Sequence, residues 1–313
     1  MPYEIDHSAR AAREEDPFSE ELRRAEPPLS PDQAAAFARA QVILTLDVPM
    51  DLPPRAPNLA WIQAIGSGVG QFVSARLAEG GIVLTNGASI GAGPIAEWTI
   101  ARVLQILKRL PEHDAQARDH RWVMTMGTQL EGRTMAIVGL GAIGRQVARR
   151  ARAFGVHLIG LRRRWTAGDT DADVDELAGA DALLDALGRS DIVVVAVPGT
   201  AANENLFDAS AFAAMRPGSI FVNVGRGMLV DEEALMASLG DGHLRAAAID
   251  VARTEPLPPD SPLWTTPNLY ISPHSSAGTD QYGRRAFDLF CENLTRFVRG
   301  EPLVNVVDLS SGY

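Results

Sequence analysis

Three polar residues in the second half of the chain each stand just beyond a short apolar run. Arg226 follows Phe221-Val222-Asn223-Val224-Gly225. Glu255 follows Ile249-Asp250-Val251 after a short loop, and His274 follows Leu269-Tyr270-Ile271-Ser272-Pro273. Such runs have the composition of buried strands, and open α/β sheets bind ligands beyond the carboxyl ends of their strands. Taken singly each residue is ordinary: a His after Pro is usually a loop residue, and a Glu before Pro256 is usually solvated. Together they suit one kind of chemistry. Histidine exchanges protons near neutral pH. A neighbouring carboxylate raises its pKa and orients the ring. Arginine clamps a substrate carboxylate and polarises a carbonyl. The set fits reduction of a 2-oxo acid at its second carbon, with a dihydronicotinamide supplying the hydride. Such a step needs no metal.

A phosphate-binding turn precedes these residues. Gly139-Leu140-Gly141-Ala142-Ile143-Gly144 fits G-x-G-x-x-G. The pattern alone is weak, and a structural glycine turn or a methyltransferase-like nucleotide site would also satisfy it. Its context is more specific: the apolar stretch Met135–Val138 precedes it, and a helix-like run from Arg145 to Phe154 follows. In that setting the first glycine permits the tight turn, the second lets the backbone approach a pyrophosphate, and the third lets helix and strand pack closely. Gly139, Gly141, Ala142, Ile143 and Gly144 are therefore candidate cofactor contacts. The next apolar run, Val156 to Leu161, ends in Arg162-Arg163-Arg164. An NAD site places an acid there for the ribose 2′-hydroxyl. Guanidinium groups bind a 2′-phosphate instead, so NADP(H) is the expected cofactor, with NAD(H) possible. The alternative is a solvated basic turn.

The elements that must position these residues follow from periodicity. Short apolar runs at Val42–Leu46, Leu59–Ile65 and Gly81–Thr85 predict three strands in the first third, with Phe72 to Glu79 helix-like between the last two. From Ile95 to Leu110 apolar residues recur at helical spacing, and Pro111 ends the run, which predicts a long helix bridging two domains. Strands are then expected at Met135–Val138, Val156–Leu161, Asp191–Val197, Ser219–Val224, Ala246–Val251 and Leu269–Ile271. A last helix near Tyr282 to Arg299 should return to pack on the first domain. Residues 1–36 are the least readable part.

Bulk properties narrow the class. The net charge of −10 argues against a nucleic-acid partner. No apolar run reaches about 18 residues, and Met1 to Arg24 is too polar for a signal peptide, so no membrane partner is expected and the cytoplasm is the expected compartment. The single cysteine, Cys291, cannot close an internal disulfide; with Phe287, Leu294 and Phe297 at helical spacing it reads as a small buried hydrophobe. The six histidines show no metal-ligand spacing.

At the residues named above the sequence resembles the D-isomer-specific 2-hydroxyacid dehydrogenase family, in its glyoxylate/hydroxypyruvate reductase-like branch. The resemblance runs from about Val42 to Val307. Its strongest stretch is Phe221-Val222-Asn223-Val224-Gly225-Arg226-Gly227-Met228-Leu229-Val230-Asp231-Glu232-Glu233-Ala234-Leu235; further blocks are Ala248–Val251, Glu255–Pro258, Pro262–Trp264, Pro267–Leu269 and Ser272-Pro273-His274. The resemblance implies an α/β chain of two Rossmann-like, doubly wound domains with a cleft between them. The substrate-binding domain would comprise residues 1–93 completed by 282–313, and the dinucleotide-binding domain residues 94–281. It implies that Arg226 binds substrate, that Glu255 pairs with His274, that His274 is the acid/base, and that Asp250 holds the nicotinamide carboxamide. Val197, Pro198, Asn203, Val224 and Gly225 would line the cofactor cleft, and the backbone amides of Val69 and Gly70 would meet the substrate carboxylate. It also implies a homodimer. The sequence departs from the family where Gly70 replaces the usual Asp or Asn, where the arginine run replaces the usual acid, and in lacking a recognisable strand before residue 36. Phosphoglycerate, formate or phosphite oxidation are alternatives within the fold. Formate enzymes carry Gln where Glu255 stands, and the length leaves no third domain of the kind expected in the longer phosphoglycerate enzymes. Outside catalysis, the alternative is a dinucleotide-sensing regulator of the same superfamily.

Overall fold

The computed structural model describes residues 9–10, 12–13 and 16–309. The first eight residues of the polar N-terminal segment lie outside the described residues. The chain divides into two compact units, residues 1–90 with 279–313, and residues 91–278.

The first unit holds a parallel sheet of β1 (Val42–Thr45), β2 (Trp61–Ala64) and β3 (Val83–Thr85), in that spatial order. Its core includes Phe37, Leu52, Ile62, Phe72, Leu77 and Leu84. Among the described elements, α1 (Glu20–Ala25) and α2 (Pro31–Arg39) precede the sheet, in a stretch whose periodicity is unreadable. The second starts from a capping box, in which the Ser30 hydroxyl accepts from the Gln33 amide and the Gln33 side chain accepts from the Ser30 amide, with Pro31 opening the helix. The expected helix over 72–79 is instead two 3-10 turns, Gly70–Ala75 and Leu77–Gly80, because Arg76 adopts a left-handed conformation (φ 54°) between them. The last helix, Tyr282–Arg299, belongs to this unit. Phe290 stacks on Trp61 at 5.5 Å and Phe297 packs against it at 5.6 Å. Those rings, not Cys291, define the helix's inner face. Cys291 is exposed, which corrects the expectation of a buried thiol. A buried polar chain completes the contact: Asn293 Nδ2 donates to Gln63 Oε1 at 2.9 Å, Thr85 Oγ1 donates to the same oxygen at 2.8 Å, and Trp61 Nε1 donates to Thr85 Oγ1 at 2.8 Å. Each of these buried polar groups thereby finds a partner, as burial requires.

The second unit is a seven-stranded parallel sheet in the order β10-β9-β8-β7-β4-β5-β6. The strands are β4 (Thr134–Val138), β5 (His157–Leu161), β6 (Glu176–Ala178), β7 (Ile192–Val195), β8 (Ser219–Asn223), β9 (Leu244–Ile249) and β10 (Leu269–Ile271). Side chains alternate between the two faces of the sheet. Met135, Ile137, Val194 and Val222 pack on one face with Ile100, Val103, Val147 and Ala151. Ala136, Val138, Val193, Val195 and Phe221 pack on the other with Phe207, Phe212 and Leu235. Both faces are thus covered, which is why the strands read as unbroken Val/Ile runs. The long helix predicted over 95–110 is Ala92–Leu107, and its inner face belongs to this unit's core. Pro111 does not end it. Arg109, at φ 57°, breaks the chain, and Pro111 sits in the first turn of the next helix, Leu110–Arg118. Among the described residues no helix is long and apolar enough to cross a membrane.

Candidate active site

The strand order reverses between β4 and β7, which is where doubly wound sheets open a crevice for ligand. Gly139 leaves β4 at φ 104°, a conformation that excludes most side chains. A Cβ on Gly139 would lie 2.6 Å from the Ala196 carbonyl oxygen, so the turns after β4 and β7 are in contact. A Cβ on Gly144 would lie 1.9 Å from the Gly139 carbonyl oxygen. Only glycine allows the helix Ala142–Arg152 to pack this closely on the turn. Gly141 is different: a Cβ there would meet nothing within 4 Å. It caps the helix in an extended conformation with no side chain bonded to the helix N-terminus, and Ala142, Ile143 and Gly144 form the helix's first turn, whose amides have no partner within the helix. These residues fit a dinucleotide's phosphates.

Val197 and Pro198 follow β7, and Val224 and Gly225 follow β8. The two turns meet, since a Cβ on Gly225 would lie 2.7 Å from the Val197 carbonyl oxygen. Asn203 acts within its own loop. Its Oδ1 accepts from the Thr200 amide at 2.7 Å, and its Nδ2 donates to the Pro198 carbonyl at 2.8 Å. It therefore shapes the 198–203 segment. At the end of β5, Arg162 Nη2 donates to Asp169 Oδ2 at 2.6 Å, while Arg163 and Arg164 are exposed.

The three candidate residues Arg226, Glu255 and His274 lie beyond the carboxyl ends of neighbouring strands β8, β9 and β10. Asn223 orders the turn that presents Arg226, accepting from the Gly225 amide at 3.0 Å and donating to the Arg226 carbonyl at 2.9 Å. Glu255 is fixed at both oxygens. Oε1 accepts from the Ala252 amide at 3.0 Å, and Oε2 meets His274 Nδ1 at 2.8 Å. In that contact the Nδ1–H donates to the carboxylate, which leaves Nε2 as the nitrogen that can deliver a proton outward. The His274 pKa is raised, first by the hydrogen bond to Glu255; burial and the positive charge of Arg226 oppose this, and Asp250 adds to it.

His274 itself adopts φ 50°. A buried carboxylate holds the loop in that uncommon conformation. Asp250 Oδ1 accepts from the Ser272 hydroxyl at 2.5 Å, the Ser275 amide at 2.9 Å and the Ser276 amide at 3.0 Å; the Ser276 hydroxyl bonds Oδ2, and the His274 amide donates to the Asp250 carbonyl at 2.8 Å. In this structure Asp250 anchors the histidine loop, a role that its place inside a strand-like run does not suggest. The serines at 272, 275 and 276 are the signal in the sequence that points to it.

The substrate-loop candidates lie in the first unit. Val69 is buried, Gly70 opens a 3-10 turn, and neither amide donates to another group among the described residues. Neighbouring Gln71 donates from Nε2 to the Leu46 carbonyl at 3.0 Å.

Residues 100–276, more than half of the chain, match the model of the D-isomer specific 2-hydroxyacid dehydrogenase NAD-binding domain. The D-3-phosphoglycerate dehydrogenase of Methanocaldococcus jannaschii is 32% identical over 84% of this chain and 50% of its own, so the chain spans about half the length of that relative. The glyoxylate reductase of Thermofilum pendens is 31% identical over 83% of this chain and 78% of its own. Among solved structures, the NADPH-dependent glyoxylate/hydroxypyruvate reductase of Sinorhizobium meliloti, in complex with NADP and sulfate, superposes with a TM-score of 0.77 at 28% identity, over 93% of this chain and 90% of that one. The glycine turn at the sheet's reversal, the Glu255–His274 pair and these matches agree: the chain belongs to the D-isomer specific 2-hydroxyacid dehydrogenase family.

Proposed function

We propose that the protein transfers hydride between NADP(H) and a small D-2-hydroxy acid/2-oxo acid pair of the glyoxylate or hydroxypyruvate type. The observation that carries this reading is the 2.8 Å contact between His274 Nδ1 and Glu255, on the strand edge that also presents Arg226 and the glycine turn. The nicotinamide, when bound, supplies hydride to the carbonyl carbon. The chain's own residues manage charge and the proton. Arg226 clamps the substrate carboxylate and draws electron density toward the carbonyl oxygen. His274 Nε2 gives its proton to that oxygen as the alcohol forms, and Glu255 stabilises the imidazolium beforehand. In the reverse direction neutral His274 takes the proton back. The amides of Val69 and Gly70 are assigned to the substrate carboxylate, and Gly139, Gly141 and Gly144 to the pyrophosphate turn. The arginine run at the end of β5 supports the phosphorylated cofactor, as does the NADP in the S. meliloti reductase. A homodimer is part of the same reading.

Loss of NADPH absorbance at 340 nm tests it, with glyoxylate, hydroxypyruvate and 3-phosphohydroxypyruvate as substrates. Turnover of the first two with a lower KM for NADPH than for NADH is the expected result. Exclusive use of the phosphorylated acid would replace the substrate assignment. Tight dinucleotide binding without turnover of any 2-oxo acid would overturn the enzymatic reading in favour of a sensor.

A further inference from the structure

We propose that Asp169 is a specificity-determining residue of the cofactor site, which engages Arg162 in competition with a 2′-phosphate and so limits the preference for NADP(H) over NAD(H). This rests on the NADP(H) reading above. The turn after the arginine run folds back on it. Asp169 donates its amide to the Thr166 carbonyl at 2.9 Å, and its Oδ2 accepts both the Thr166 amide at 3.1 Å and Arg162 Nη2 at 2.6 Å. Gly168, at φ 95°, allows the reversal. The Arg162 Nε is buried and has no hydrogen-bond partner among the described residues. One edge of this guanidinium is thus held by Asp169, while a donor on it awaits an acceptor.

The other acids of the loop are occupied elsewhere. Asp171 and Asp173 bind Arg145 at 2.7 and 3.0 Å, and Asp173 also binds Arg149 at 2.9 Å, both arginines being on the helix that follows the glycine turn. Asp169 is therefore the loop carboxylate turned toward the arginine run. Its pKa is lowered, first by the Thr166 amide and then by Arg162, so it stays ionised across the working pH range. A phosphate dianion approaching Arg162 meets that fixed negative charge, whereas a ribose 2′-hydroxyl carries no charge and can donate to a carboxylate. Arg164 is exposed and is left to attract the phosphate.

Asp169→Asn keeps an oxygen for the Thr166 amide and removes the charge. Calorimetric titration of the purified protein with 2′,5′-ADP and with 5′-AMP, which differ only in the 2′-phosphate, isolates that phosphate's contribution from catalysis. The variant is expected to bind 2′,5′-ADP about three- to tenfold more tightly, with 5′-AMP changed by less than about twofold, and the gain should shrink at high salt. In assays the KM for NADPH should fall with kcat unchanged. Asp169→Ala should move 2′,5′-ADP binding in the same direction. Unchanged or weaker 2′,5′-ADP binding in both variants, or equal tightening of 5′-AMP, would overturn the proposal. The underlying reading fails differently: wild-type protein would bind the two ligands equally, and Arg164→Ala would leave that equality intact.

Discussion

A proton donor that works near neutral pH has to keep its proton in the resting site and release it to substrate. His274 is tuned for this by one short contact, because the Glu255 hydrogen bond outweighs burial and the repulsion from Arg226. The folded-state pKa therefore lies above the ordinary histidine value of about 6.5. Reduction needs protonated His274, so its kcat/KM should be flat in mild acid and fall as pH rises through the raised pKa. Oxidation, which needs the neutral ring, should rise over the same interval. Glu255→Gln removes the leading cause of the shift and should move both inflections to lower pH, leaving burial and Arg226 to act unopposed by it. An inflection that stays in place in the variant would remove Glu255 from its role. The same linkage reaches stability: a raised folded pKa stabilises fully below the unfolded value and is lost as pH rises through the folded one. The melting-temperature gap between wild type and Glu255→Gln should thus narrow as pH rises from the ordinary histidine value through the raised folded one. Replacing His274 by Ala should cost about a hundredfold or more in kcat.

At the scale of elements, two glycines of one turn make opposite predictions. Gly144→Ala places a Cβ 1.9 Å from a backbone oxygen, so the helix Ala142–Arg152 must move off β4, at a cost of about 1–3 kcal/mol. Gly141→Ala enters open space at an allowed φ of −79°, so thermal stability should be nearly unchanged. The new methyl would nevertheless stand where the pyrophosphate must approach, and NADPH affinity measured by fluorescence quenching should drop by about tenfold or more. Equal NADPH binding by wild type and Gly141→Ala would place the cofactor elsewhere. Much of this architecture is legible in the sequence, because strands buried on both faces must be continuous apolar runs and a phosphate turn must be glycine-rich. Features that depend on one backbone angle or a distant partner are not. Nothing in Arg109 or Arg76 as residue types announces a left-handed conformation. The exposure of Cys291 follows from which rings meet Trp61, and the anchoring role of Asp250 from serines 22 to 26 residues away. The strand β6, Glu176–Ala178, is too short to show a period.

For the whole molecule, the proposed homodimer directs attention to the segment between the helix Leu110–Arg118 and β4. It has no regular structure, and Trp122, Val123, Met124 and Met126 are all exposed, Trp122 completely (103%). Scattered exposed apolar side chains are normal, but a run of them around a tryptophan is where the homodimer proposed above would place its contact. Covering a Trp removes roughly 200 Å² from water, about 5 kcal/mol of gross driving force at about 25 cal/mol per Å² before ordering costs. A second copy of the chain is the partner that is always present at equal concentration, and a two-fold axis would cover both arms at once, doubling that contribution. Light scattering coupled to gel filtration should therefore give twice the chain mass at micromolar concentration. The double substitution Trp122→Ser with Met124→Ser should shift the protein toward the monomer, while far-UV circular dichroism and the affinity for 2′,5′-ADP stay as in wild type. A monomeric wild type, or a double variant that dimerises as tightly as its parent, would mean that the arm does not form the dimer contact.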